Sequence, residues 1–246
     1  MVVFWDRCLY SIYIVFPTQD HLTIAHFADD VAILSKGTCE SAAEQLNIFC
    51  EKVSTWCKQW RVIMNSQKSN LVKFTYKRNT VNYPVILCGS EVPMAQSVRY
   101  LGLILDSKIT WHNHISAIVK RIRHRIYLLK HIIQDRSPLP LHYKRRIYIS
   151  IVRPVWQCGC SIWGSASASQ IRRIQVMQNR YLGLMSGAPW YISNKNLHDD
   201  LCIPEVMEVL RQSYIRLYNS FLNHINPPQD PAHRRLKRER HSDMRL

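Results

Sequence analysis

Two carboxylates, Asp29 and Asp30, stand side by side in the apolar run IAHFADDVAIL, residues 24–34. Like charges repel, and burying them uncompensated is costly. Two arrangements relieve that cost. Either the pair sits at a solvated turn, bonded to its own backbone, or it holds a cation. Hard divalent ions such as magnesium take carboxylate oxygens and keep several waters. Two such ions, roughly 4 Å apart, clamp the attacking and leaving oxygens of a phosphoryl transfer. A strand-turn-strand suits that chemistry, because the turn projects the acids while the strands fix them. The residues alone leave both arrangements open.

Other candidate ligands are weaker. Cys158 and Cys160 form a C-x-C, and His112 and His114 an H-x-H. Without a second pair at finger spacing they fall short of a zinc site. The eight cysteines show no secreted disulfide framework, so they read as small hydrophobes of a reducing, intracellular setting, nuclear or cytoplasmic. Charge is more telling. The 246 residues carry 33 Lys+Arg against 17 Asp+Glu, a net charge of +16. Such a surplus repels itself, and nucleic acid is the first partner it suggests. The opening MVVFWDRCLYSIYIVF carries Asp6 and Arg7 and lacks the parts of a signal peptide. No apolar run is long enough for a membrane span, so no membrane partner is expected.

The elements that must position the acids follow from periodicity. LTIAHF (22–27) and VAILS (31–35) predict the arms of a buried hairpin. Ala42, Leu46, Phe49, Val53, Trp56 and Trp60 recur every three or four residues, which predicts a helix on one face of the sheet, capped by Thr38 or Ser41 and running to Asn65. Trp56 and Trp60 are expected in the core. Residues 69–77, 84–89 and 98–106 read as strands, with Gly89–Ser90 as a turn. Beyond Asp106, the stripe Ile115, Ile118, Val119, Ile122, Ile126, Leu129 and Ile133 predicts a long helix, whose other side carries Lys120, Arg121, Arg123, Arg125 and Lys130. A second basic helix bears Lys144, Arg145 and Arg146 and is expected to be interrupted at Pro154. A third has Ile171, Ile174, Met177, Tyr181 and Met185 on one face, and a fourth starts at Pro204. The fold class is α+β over 1–106, a basic all-helical region over 107–226, and a tail over 227–246 that is Pro-rich, then charged, and expected to be disordered.

Several motifs, in order, resemble the reverse transcriptases of jockey-type non-LTR retrotransposons. FADDVAIL is similar to the family's aromatic-x-Asp-Asp box. WCKQWRVIMNSQKSNLVKF resembles its tryptophan-bearing helix followed by Asn65, Lys68 and a strand. VRYLGLILDSKITWHNHI resembles the Tyr-Leu-Gly primer grip (Tyr100, Leu101, Gly102) and the start of the thumb. IVRPVWQCGCSIWGSASASQIRRIQVMQNRYLGLMSGAPWYISNKNLHDDLCIP looks like the region after the thumb. The resemblance runs from about residue 22 to about 225. It implies a partial polymerase palm, an antiparallel sheet with a packed helix, over 1–106, then a helical thumb and connector. It implies Asp29 and Asp30 as catalytic and metal-binding acids, with Asp29 the direct ligand of magnesium or, alternatively, manganese. Lys68 is implied beside the incoming triphosphate, where a cation stabilises the leaving pyrophosphate. Tyr100, Leu101 and Gly102 are implied under the primer end. The cations of the 115–134 helix are implied to track the phosphates of an RNA template paired with a DNA primer.

The pattern also departs from the family. A third palm aspartate and a fingers region come well before the acid pair in family members, and only 28 residues precede Asp29. Asp6 and Asp20 stand in contexts that do not match the missing motif. The expectation is an amino-terminally truncated polymerase, inactive in isolation; the alternatives are a non-catalytic nucleic-acid-binding remnant and an inert structural one. A primer-extension assay with magnesium on an RNA template is expected to yield no robust synthesis from the isolated chain. Efficient extension abolished by Asp29→Ala would contradict this and mean that another acid completes the site.

Overall fold

The structure, a computed structural model, describes residue 17 and residues 22–27, 30–62, 64, 68–77 and 81–222. It is mixed α and β, with small two-stranded sheets and a series of helices. Its contacts divide the chain into two units. The first holds residues up to Val98 together with Asp106–Lys108, and the second holds Arg99–Leu105 and everything from Ile109 on.

In the first unit, β1 (Leu22–Phe27) and β2 (Asp30–Ser35) pair antiparallel from Leu22↔Ser35 to Phe27↔Asp30. Alternation divides the ribbon into two faces. Leu22, Ile24, Val31 and Ile33 pack into the core, while Thr23, Phe27, Asp30 and Leu34 are exposed. The ribbon is thus buried on one face only, not throughout as its apolar runs suggest. Helix α1 (Cys39–Trp60) covers that inner face with Phe49, Cys50, Val53, Trp56 and Cys57. The Thr38 hydroxyl accepts from the Ser41 amide at 3.2 Å, satisfying an otherwise orphaned donor. Ser35 donates to Gln45 at 2.7 Å and ties β2 to α1. The helix stops five residues short of Asn65. Arg61 turns left-handed (φ 54°), and the Val62 amide closes back on the Cys57 carbonyl at 2.9 Å. Trp60, in that last turn, is 40% exposed and outside the core, unlike Trp56.

The expected strands beyond α1 are mostly replaced by turns. Residues 69–77 make a single bridge, Leu71 to Met94. The facing stretch contains Pro93, which has no amide hydrogen to continue a ladder. Strand 84–89 shrinks to β3 (Ile86–Leu87), paired with β4 (Ser90–Glu91). Strand 98–106 becomes two, β5 (Ser97–Tyr100) and β6 (Leu103–Asp106). Both hairpins close over an X-Gly pair with positive φ at each residue: Cys88 and Gly89 at 50° and 80°, Leu101 and Gly102 at 47° and 83°. Two positive values in succession are the type I′ pattern, which matches strand twist and reverses the chain.

The second unit is built on α2 (His112–Ile133), whose predicted stripe is buried from Ile115 to Ile133, with Leu129 at its edge. The next helix is not interrupted at Pro154. α3 (Leu141–Ile147) passes through a π-helical turn, Tyr148–Val152, into α4 (Arg153–Gln157). The Arg153 amide bonds to the carbonyl of Tyr148, five residues back, and Pro154 follows directly after that wide turn, inside the continuous helix. α5 (Cys160–Trp163), α6 (Ala168–Ser186), α7 (Asn194–Asp200) and α8 (Val206–Leu222) complete the unit. α6 buries all five residues of its predicted stripe. α8 begins two residues after Pro204, with the Val206 amide donating to the Gln175 side chain at 2.8 Å. The short helices α5 and α7 carry too little periodicity to stand out in the sequence. The tail 227–246 lies outside the described residues.

His114 is buried between Trp111 and Trp163, with ring centroids 5.9 and 6.3 Å away. Its Nδ1 accepts from the Ile104 amide at 3.3 Å, so the proton of the neutral ring sits on Nε2. Burial, then the Arg121 charge, holds its pKa below the ordinary 6.5. The unfolded chain therefore binds this proton more readily, and stability falls as pH drops below about 6.5. Thermal melts are expected to show a lower Tm at pH 5 than at pH 7.5, and His114→Leu to flatten that dependence.

Candidate functional site

Asp30 lies at one end of the β1–β2 ribbon. The register joins Phe27 directly to Asp30. Asp30 opens β2, is exposed, and shares the outer face with its cross-strand partner Phe27, which is 62% exposed. That face points away from α1. Along its centre run Ala25 and Ala32, also partners, whose small side chains leave the sheet surface low. The fold thus keeps Asp30 in solvent, mounted on strands that the core holds rigid. Asp29 itself lies outside the described residues, as does Asn65.

Lys68 is exposed in a turn of the same unit, where its carbonyl accepts from the Asn70 side chain at 3.2 Å. Tyr100 ends β5, and Leu101 and Gly102 form the I′ turn. Gly102 is the residue of the three whose type signals a reversal of the chain. Among the described residues no group of three His, Cys, Asp or Glu could hold a metal ion. Asp30 fits the chemistry of one carboxylate ligand and does not complete a site with described neighbours.

The cations of α2 divide in use. Lys120, Arg121, Arg123, Arg125 and Lys130 are all exposed, but Arg125 Nη1 donates to the Ile151 carbonyl. The next basic helix uses its cations differently. Lys144 is 3% exposed and gives its ammonium to the Gln134 carbonyl at 2.6 Å. Arg145 donates from Nε to the Leu201 carbonyl at 2.8 Å and from Nη2 to that of Cys202 at 3.1 Å. These two side chains satisfy carbonyls at the ends of α2 and α7. Only Arg146 remains exposed, over the Tyr143 ring at 5.9 Å. No described helix is long and apolar enough to cross a membrane.

Comparison with known proteins matches residues 3–105 to the family model described as reverse transcriptase (RNA-dependent DNA polymerase). The hairpin, its acids, α1 and the first I′ turns all fall inside that segment. Residues 3–105 therefore carry a segment similar to the reverse transcriptase family, whose members generally use divalent metal ions. It is similar to the probable RNA-directed DNA polymerase from transposon X-element of Drosophila melanogaster, at 35% identity over 90% of this chain and 25% of that protein. The corresponding protein from transposon BS of the same fly is 34% identical over 88% of this chain and 25% of its own length. The RNA-directed DNA polymerase from mobile element jockey of Drosophila funebris is 30% identical over 96% of this chain and 28% of its own length. The chain thus spans about a quarter of the length of these curated relatives. No solved structure matches it significantly.

The contrast between neighbouring arginines is testable. Arg145→Ala removes two charge-assisted bonds to carbonyls and is expected to cost about 1.5–3 kcal/mol in urea unfolding. Arg146→Ala is expected to stay within about 0.5 kcal/mol of the wild type. Equal effects would show that Arg145 does not anchor the end of α7.

Proposed function

We propose that this chain is a portion of an RNA-directed DNA polymerase, its first unit part of the palm and its helical unit the thumb and the region beyond. The observation that carries this reading is the ribbon: an exposed carboxylate at one end, on the face opposite a packed helix, within a segment similar to reverse transcriptases. An RNA template and a DNA primer are the substrates in this reading, supported by the names of the relatives.

Asp29 is the direct metal ligand in this scheme and Asp30 the second carboxylate. When bound, magnesium or manganese supplies the charge that stabilises attacking and leaving oxygens in a two-metal nucleotidyl transfer. Lys68 neutralises the departing pyrophosphate. Tyr100, Leu101 and Gly102 hold the primer end through exposed turn backbone. Lys120, Arg121, Arg123 and Lys130 contact duplex phosphates, and Arg125 contributes less because the Ile151 carbonyl already holds it. With no third acidic ligand among the described residues, the isolated chain binds its substrate without extending it efficiently. A purely binding module is the competing reading, favoured by the same cationic helix.

Binding to an RNA–DNA hybrid, measured against salt, tests both. Affinity is expected to fall steeply with salt, and Lys120→Ala or Arg121→Ala to flatten the log–log slope by about 0.9 each, with Arg125→Ala doing less. Manganese is expected to tighten hybrid binding, and the double change Asp29→Ala, Asp30→Ala to erase that gain. Indifference to the ion favours the binding module. Absence of salt-dependent binding refutes both.

A further inference from the structure

One aromatic pair of the helical unit has no packing role. Trp190 is 95% exposed and Tyr191 68%. By contrast Trp111, Trp156 and Trp163 of the same unit are all buried. Leaving an indole in water forgoes the burial that makes tryptophan worth carrying. The pair is held, not dangling. The Ile192 amide donates to the Pro189 carbonyl at 3.0 Å, closing a turn with Trp190 and Tyr191 at its two corners. Left-handed Gly187 ends α6 before that turn, and Ser193 caps α7 after it, accepting from the Asn196 amide at 3.1 Å. The rings meet edge-on, 5.9 Å apart and 80° inclined.

The place of this turn in the unit says what it faces. A Cβ added to Gly187 would lie 2.7 Å from the Cβ of Asp135, so the turn leaves the core beside the residues that follow α2. That end of α2 carries Lys130 and His131 in its last turn, with Arg136 exposed just beyond. Asp135 and Arg136, both exposed, follow α2 in succession. A strand tracked along the cations of α2 therefore runs toward two presented aromatic rings.

We propose that Trp190 and Tyr191 form a stacking platform for an unpaired base of a nucleic-acid strand leaving the duplex held on α2. Every base has a π-face, so the platform tolerates sequence, and the nearby cations meet the adjoining phosphates. This inference rests on the nucleic-acid reading above and adds a single-strand site to it.

The test compares oligouridylate, oligothymidylate and a blunt RNA–DNA hybrid as labelled probes in anisotropy titrations of the full chain. Trp190→Ala is expected to weaken binding of the single strands about fivefold or more. Hybrid affinity and the salt slope are expected to stay unchanged, and Trp190→Phe to keep most of the affinity. Preference for one strand type tells RNA from DNA, and either supports the platform. Trp190 is 95% exposed, and a thermal melt of Trp190→Ala separates loss of stacking from loss of fold. Unchanged single-strand binding by Trp190→Ala overturns the platform while leaving the hybrid grip intact. Equal loss for strand and hybrid also overturns it, as does sedimentation showing dimers that require Trp190. No binding of any probe overturns both readings.

Discussion

Rotation of α2 about its own axis is the constraint from which most of the helical unit follows. Seven buried or edge positions, from Ile115 to Ile133, lie on one side of the helix and meet Trp156, Trp163, Ile174, Tyr181 and Leu182 in a single core. Turning the helix by even one residue, about 100°, would drive arginine or lysine into that core. Hydrophobic burial therefore decides which cations face water. Lys120, Arg121 and Arg123 owe their exposure to the isoleucines between them. The same core sets the limit case, Lys144, whose stem lies inside and whose ammonium reaches the Gln134 carbonyl.

The first unit uses the same logic on a smaller scale. Burial of Leu22, Ile24, Val31 and Ile33 against α1 fixes the register of the ribbon. A slip of one residue would bury Asp30 and expose the valine beside it. The electrostatic difficulty posed by adjacent acids is thus solved by geometry on the Asp30 side: pairing with Phe27 puts it on the open face. Packing on one face supplies the rigidity that a charged group on the other face requires.

The long helices were legible because their signal is local and repeated. The stripe of α2 recurs over about five turns and that of α6 over about four, and of the two cap candidates, Thr38 and Ser41, the structure uses Thr38. Strands were less legible. β3 to β6 are two to four residues long, and their ends depend on positive φ at Cys88 and Leu101, residues that rarely adopt it. Lys144 and Arg145 misled because a basic run normally marks a solvated face. Their partners, the carbonyls of Gln134, Leu201 and Cys202, are ten to about sixty residues away and leave no trace in local pattern. At the site, the acids were evident from sequence, and the face on which Asp30 stands came from register. The roles of Lys68 and of Tyr100 to Gly102 rest on resemblance, since neither spacing nor burial distinguishes them.

The π-helical turn at Tyr148–Val152 has a consequence for how this chain tolerates change in length. Lys144, Tyr148, Val152 and Trp156 are all buried, at strict intervals of four. An ordinary α-helix advances about 40° too far at each such interval, about 120° over the three. The wide turn absorbs that phase error, so both ends of the helix keep their inward faces. In effect it accommodates one surplus residue without rotating Trp156 away from its neighbours. A length change that elsewhere would scramble the packing of a helix is here confined to a single loosened turn.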